Sequence, residues 1–285
     1  MINRILIISA LILSPTLQAQ DQGNHSAYID IGSLDFNWKE FGYNDDEFDN
    51  DTEVESELVD ESGSLTTFAF GYAYSRDDYL FSAQLSQATG TVDYYGMIQI
   101  DGDRNDYKEN LNTDYSIYSL EGSFGKYFDV DYIKPFAAIV GGYSKRERKV
   151  NGMANSVSPE GDVIDIATAT EHMSYLYWGA LLDVELFSWN NISANVGAKY
   201  SRSVNTEQEF VGDDLTIDLK SLISTELSAS VSYEFLPTWK ASLRFKKLRS
   251  KMAKSNEVAS GSLLIHQPRS EEDHSYLGLH LQKTF

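Results

Sequence analysis

The chain contains no cysteine and only 5 prolines in 285 residues. With no thiol there is no disulfide framework and no thiolate nucleophile or metal ligand. Beyond the first twenty residues no run approaches the roughly 18 apolar residues of a membrane-spanning helix. Positive charge is also scarce, with 23 Lys and Arg against 43 Asp and Glu and a net charge of −20. Nucleic acid is thereby a poor partner, because phosphate-backbone binding is driven by cations. No glycine-rich phosphate cradle or metal-ligand spacing appears either, so no cofactor is expected.

Aromatic side chains are abundant instead, with 18 Tyr and 14 Phe. The amino-terminus carries Arg4, the apolar run 5–13 and a polar stretch ending at Ala19. This is the pattern of a cleaved secretory signal peptide over 1–19, which leaves 20–285 as a single domain. Ala19 is followed by Gln20, so a lipoprotein is not expected. A negative mean hydropathy of −0.35 is compatible with a membrane barrel, because only every second residue of each strand faces lipid.

Period-two alternation recurs in stretches of about ten residues. Ten strands are predicted, over 27–38, 65–75, 78–90, 115–127, 133–145, 172–186, 191–203, 222–235, 238–249 and 275–285. The seventh sets Ile192, Ala194, Val196, Ala198 and Tyr200 against Ser193, Asn195, Gly197, Lys199 and Ser201. The ninth sets Trp239, Ala241, Leu243 and Phe245 against Lys240, Ser242, Arg244 and Lys246. The first and fifth strands are ambiguous in phase and are candidates for bulges. Connections alternate between short turns (75–78, 128–132, 187–190, 236–237) and long polar stretches (39–64, 91–114, 146–171, 204–221, 250–274). Strict alternation with an even strand number places both termini on the side of the short turns. Counts of eight or twelve stay open, because strands hidden in 91–114 or 146–171 would change the number.

The leader, glycine–aromatic strands such as 135–143, and the alternating terminal stretch 277–285 ending on Phe285 resemble the small outer-membrane β-barrel proteins of Gram-negative bacteria. That broad, porin-like family includes the barrel domain of the outer-membrane protein A type. The resemblance covers the whole mature chain as a pattern. It implies an all-β, transmembrane, up-and-down antiparallel barrel in the outer membrane. It also implies recognition by the barrel-assembly machinery through the strand ending in Phe285; the alternation of connections sets the termini in the periplasm, and a monomer is expected. Lys283 departs from the pattern, since such proteins usually carry an apolar residue third from the end, and the assembly signal is weakened accordingly.

Three constellations bear on chemistry. Glu121, Asp183, Glu185, Glu226 and Glu234 should point into the lumen with Lys199, Lys240, Arg244 and Lys246, as a salt-bridged plug or as the lining of a gated pore. The stretch 40–61 holds eleven acids and no base. Its alternating Asp49, Asp51, Glu53 and Glu55 are weak calcium candidates, set against a solvated mobile loop. Lys145, Arg146, Arg148 and Lys149, with Lys247, Arg249 and Lys251, fall where strands leave the outer leaflet and are candidates for lipopolysaccharide phosphates. Divalent cations or an extracellular ligand are further candidate partners. Ten strands is also the omptin protease architecture, whose sites need paired Asp residues facing a His–Asp pair at the outer rim. Here only His172, beside Glu171, lies near that rim, while Asp77 and Asp78 fall in a short turn at the other end. A lipid A deacylase would need a His with a Ser at the lipid face, which His280 does not supply. The expectation is therefore a structural or adhesin-like surface protein without enzymatic activity. The alternatives are a narrow channel for small or cationic solutes and, third, a rim hydrolase.

Overall fold

A computed structural model describes residues 23–43, 55–96, 98–100, 103–105, 111–130, 133–151, 154–157, 163–166, 169–211, 215–256, 258–260, 263–265 and 267–285. The expected leader 1–19 lies outside them. Ten strands form the wall: β1 (Asn24–Tyr43), β2 (Glu55–Arg76), β3 (Tyr79–Gly96), β4 (Leu111–Tyr127), β5 (Lys134–Asn151), β6 (Ala169–Trp189), β7 (Ile192–Phe210), β8 (Ile223–Leu236), β9 (Trp239–Met252) and β10 (Arg269–Thr284). Each pairs antiparallel with its neighbour in sequence, and β10 returns to β1 from Ser26↔Thr284 to Phe41↔Arg269. The sheet therefore has no free edge, which is the only way a sheet can satisfy its backbone without water.

The long connections do hide strands, but these leave the count at ten. Hairpins Ile98–Ile100/Asp103–Asn105, Ala154–Val157/Val163–Ile166 and Val258–Ser260/Leu263–Ile265 pair only within themselves. The short strand Leu215–Leu219 pairs only with the outer end of β7. Short turns are built for their task, with Asp77 and Asn190 in left-handed conformation (φ 54° and 52°), a region Asp and Asn tolerate better than most residues. A register shift does occur in β1, between Glu40 and Phe41, whereas the other shifts fall in the β6–β7 and β8–β9 pairs rather than in β5.

The strands run 14 to 22 residues, well beyond the roughly 9–11 needed to cross a bilayer. The outward face changes character along them. Nearest the short turns it is apolar: Ile31, Phe68, Leu85, Leu120, Ile139, Leu182, Leu227, Leu243 and Leu279 are all exposed. Further along the same face it carries Asp35, Lys39, Asp60, Asp93, Asp114, Lys145, Glu147, Lys247, Arg249, Asp273 and Glu271. The inside changes in the opposite sense. Phe36, Trp38, Leu65, Val92 and Tyr115 are buried within the charged collar. The lower part of the chain is thus apolar outside and polar within, and the upper part is ordered like a water-exposed barrel.

At the seam where the barrel closes, Gly32 faces Gly278. A Cβ on Gly32 would lie 2.5 Å from the Leu277 carbonyl oxygen and 2.8 Å from the Gly278 Cα. Gly32→Val should therefore push the closing strands apart at a cost of about 1–3 kcal/mol. The check is a lower midpoint for loss of compact gel migration on heating; an unchanged midpoint would show that the seam has slack.

Candidate functional site

Period-two geometry places alternate side chains of each strand in the lumen. Near mid-height, Lys199 Nζ lies 3.0 Å from Glu121 and 3.5 Å from Glu226, and Lys246 lies 3.5 Å from the other Glu226 oxygen. The Tyr177 hydroxyl donates to Glu121 at 2.7 Å, and Asn195 donates to Asp183 at 2.8 Å. Arg244 pairs with Asp30 at 3.3 Å. Each buried charge needs such a partner, because one left alone at low dielectric costs several kcal/mol. The expected lumen set of Glu121, Asp183, Lys199, Glu226, Lys240, Arg244 and Lys246 thus faces inward. Glu234 shares that face opposite Lys240, but at the open end beside the β8–β9 turn, where it is exposed. Asp30, Tyr28 and Tyr276 join the lumen from β1 and the upper part of β10, where the sequence shows no clear phase, and His280 joins it from the polar face of the terminal alternation. Cavities of about 170 and 130 Å³ lie around Glu226 and Leu248, and a vestibule of about 570 Å³ lies toward the short turns beside Asp183, Lys240 and Arg244.

The collar interior is filled. Phe36, Trp38, Leu65, Ala88, Val92 and Tyr115 form a buried cluster. The Arg148 guanidinium lies 4.7 Å from the Trp38 ring centre, a cation–π distance. Its Nε donates to Glu61 at 2.9 Å and its Nη1 to Glu171 at 2.9 Å. Glu61, with no side-chain exposure, also accepts from Thr113 and Tyr115. One turn of the alternation away, Arg146 lies 5.3 Å from the Trp38 ring and donates to Glu272 at 2.5 Å. Here the β1–β10 ladder skips two pairs between Asp35↔Ser275 and Trp38↔Glu272. His274 fills the gap: its Nδ1 accepts the Asn37 N–H at 3.3 Å, so Nε2 carries the proton toward Glu272 at 3.3 Å.

This placement corrects two expectations. Arg146 and Arg148 are not rim contacts, because neighbours of Lys145, Glu147 and Lys149 on a strand must face the other way; they are 5% and 6% exposed, inside the barrel. The acidic stretch 40–61 is not all solvated loop either. Glu40 and Glu61 are buried in β1 and β2, and Glu57 and Asp60 pair with Lys39 at 2.7 and 3.3 Å. The calcium candidates Asp49, Asp51 and Glu53 lie outside the described residues, and Glu55 opens β2. Among the described residues no group of three His, Asp or Glu is arranged to hold a metal. The remaining basic candidates do face outward, and three are engaged across the strand pair: Lys247 and Arg249 with Asp273, and Lys251 with Glu271 at 2.8 Å.

The collar carries opposed proton linkages. Burial raises the Glu40 carboxyl, Arg148 partly offsets this, and nearby Glu171 and Glu61 raise it further, to about 7. Its hydrogen bond from Gln267, at 2.5 Å, does not reverse that direction. Burial would also raise Glu272, but Arg146 and His274 outweigh it and hold the carboxyl at about 2. Glu40 therefore contributes stability that is full below its ordinary pKa of 4.5 and is lost as pH rises through about 7. Glu272 contributes stability above its ordinary 4.5 that is lost as pH falls through about 2. Wild type should lose stability between pH 5 and 8, and Glu40→Gln should flatten that slope in urea titrations. An identical slope in the variant would remove Glu40 as its source.

No family model matches the chain, and no curated protein sequence matches it. Solved structures do. The outer membrane protease OmpT from Escherichia coli superposes with a TM-score of 0.57 at 11% identity, over 92% of this chain and 97% of that one. The chain has the fold of a Gram-negative outer-membrane β-barrel. The translocator domain of the autotransporter NalP from Neisseria meningitidis matches at 10% identity and TM-score 0.44, over 99% and 95% of the two chains. The outer membrane protein OprG from Pseudomonas aeruginosa matches at 11% and 0.38, over 92% and 96%. At these identities the likeness carries the fold and no activity.

In such a barrel the exposed apolar band is the lipid face and the charged collar stands clear of the hydrocarbon. His172, the rim histidine, sits on the outside of that collar between Glu147 and Glu209 at 3.7 and 3.5 Å. Its neighbour Glu171 points inward to Arg148. Asp77 and Asp78 form the β2–β3 turn at the opposite end.

Proposed function

We propose that this protein is a closed outer-membrane barrel with a structural or surface-interaction role, holding acidic segments at the cell surface, and that it is neither an open channel nor an enzyme. The observation that carries this reading is the interior of the collar, where Arg146 and Arg148 are layered between aromatic rings and the carboxylates of Glu61, Glu171 and Glu272. A solute would have to displace buried, ion-paired charges to pass. The non-enzymatic reading draws on the collar histidines, since His172 lies outside the wall and His274 is committed to Asn37 and Glu272, while His280 faces Asp30 at 3.4 Å below the collar. In this reading a leader over 1–19 is cleaved, the termini are periplasmic, and the assembly machinery engages the strand ending in Phe285. Lys145 and Lys149 would meet lipopolysaccharide phosphates. Lys247, Arg249 and Lys251 would do so in competition with Asp273 and Glu271.

A channel reading draws on the vestibule of about 570 Å³ beside Asp183, Lys240 and Arg244. Planar-bilayer recording separates the two. Purified protein should give no steady single-channel steps across the bilayer. Steady steps with cation selectivity would replace the proposed role with the channel.

A further inference from the structure

The vestibule at the short-turn end has two unlike walls. From β3, β5 and β6 it is lined by the inward side chains Leu80, Phe136 and Leu181, and the Phe136 ring packs on Tyr127 of β4 with centres 4.8 Å apart. From β9 and β10 it is lined by Lys240, Arg244, His280 and Gln282. The first wall departs from the polar interior that membrane barrels keep. The space between them, about 570 Å³, has the size of a small-molecule pocket. On the collar side stand the ion pairs of Lys199 with Glu121 and Glu226.

Two groups of the polar wall lack partners. Lys240 is half-buried and makes no ion pair among the described residues. The His280 side chain is 1% exposed, yet neither ring nitrogen makes a hydrogen bond. Its Nδ1 faces the Asp30 carboxylate at 3.4 Å, which holds the ring proton on that side. Nε2 is left as a bare acceptor, and a buried acceptor without a donor is costly. Register sets the spacing. Lys240 pairs with Gln282, Ser242 with His280 and Arg244 with Gly278, so His280 stands between the two cations in height. Arg244 holds Asp30 only through Nη1 at 3.3 Å. Water alone would answer His280 but neither the charge of Lys240 nor the apolar wall.

We propose that the vestibule binds a small organic acid entering from the short-turn end. Its carboxylate lies on Lys240 and Arg244, a hydroxyl or N–H next to that carboxylate donates to His280 Nε2, and its apolar body lies on Leu80, Phe136 and Leu181. Asp183, on the apolar side, accepts from Asn195 at 2.8 Å and repels a carboxylate placed there, which fixes the ligand's direction. The site goes beyond the surface role proposed above and lies at the other end of the barrel, below the sealed collar.

Three probes test it. 3-Phenyllactate and N-acetylphenylalanine carry a hydroxyl or an N–H beside the carboxylate, and 3-phenylpropionate carries neither. Equilibrium dialysis against full-length protein in detergent, with matched empty micelles as the blank, reads binding. At least one donor-bearing acid should saturate at one per barrel and bind about fivefold tighter than 3-phenylpropionate, the effect of one hydrogen bond. Lys240→Met should weaken it about tenfold, as for loss of a charge-assisted bond. Lys126→Gln, which removes an exposed cation from the outer face at the same end, should not. His280→Phe should level the three acids. Heat-modifiable gel migration reports barrel formation in each variant. No binding above the blank, equal binding of the three acids to wild type, or unchanged affinity in Lys240→Met overturns the site. Lys240 has no ion pair to lose, so that variant decides even where His280→Phe fails to fold. Bilayer recording tests the sealed collar separately, so either proposal can fail alone.

Discussion

Replacing Arg148 with alanine should cost about 3–5 kcal/mol of unfolding free energy, the range for removing one partner of a buried ion pair. The size follows from what is left behind. Glu61 has no side-chain exposure and takes two hydrogen bonds from this guanidinium, so it would keep a charge with only Thr113 and Tyr115 to solvate it. Glu171 would lose its 2.9 Å partner, and the Trp38 ring would lose the cation stacked on it. Replacing both charges tests the cause. Arg148→Met combined with Glu61→Gln removes the charge and one of the two carboxylates it neutralises, and should recover part of the loss, because neutral substitutes for buried pairs are often close to neutral; Glu171 keeps its charge and its hydrogen bond from Gln208. The measurement is urea unfolding of the reconstituted barrel, with both single variants completing the double-mutant cycle. A loss below about 1 kcal/mol for Arg148→Ala would mean that the collar interior is wet and the charges screened. The sealed-lumen reading would then fall with it.

That network was hard to see in the amino-acid sequence for a physical reason. Strand alternation is legible where the two faces meet different solvents, and 192–200 and 239–246 show it plainly, with apolar residues toward lipid and Ser, Lys or Arg within. The count of ten, the short turns and the closure of the last strand on the first follow from such stretches together with the strict alternation of short and long connections, since the first and fifth strands are ambiguous in phase. Above the lipid band the outward face turns charged while the sheet continues, so the pattern that marks a membrane strand stops before the strand does. In β5 the run Lys145-Arg146-Glu147-Arg148-Lys149 is charged on both faces, and nothing in it says that two arginines go inside. The partners are also remote in sequence: Arg148 finds Glu61, and Arg146 finds Glu272. The mid-height pairing of Lys199 with Glu226 was readable, because β7 and β8 are adjacent and cleanly phased. The pairing of Arg244 with Asp30 was not, because it reaches over β10 to a strand whose phase is ambiguous.

A depth scan along β3 should show the sharpest contrast between two substitutions. Leu85 and Thr89 face outward on the same strand, four residues apart. Leu85 is 59% exposed and its cross-strand neighbours are Phe70 and Leu120, all within the apolar band. Thr89 is flanked by Thr66 and Ser116, at the foot of the collar. In water both positions would accept arginine at little cost, since each side chain is open to its surroundings. In a bilayer they differ. Leu85→Arg should destabilise the reconstituted barrel by about 2–4 kcal/mol, and Thr89→Arg by about 0–1 kcal/mol, following the depth dependence of charge on a lipid face. Neither substitution touches the lumen, so the difference isolates the outer solvent from the plug. Urea titration in vesicles and again in detergent reads it, and the contrast should shrink in detergent, where a micelle deforms around a charge. Equal costs at both positions in vesicles would mean that the hydrocarbon boundary does not fall between Leu85 and Thr89. The inversion from apolar-out to apolar-in along each strand would then need a cause other than the change of solvent.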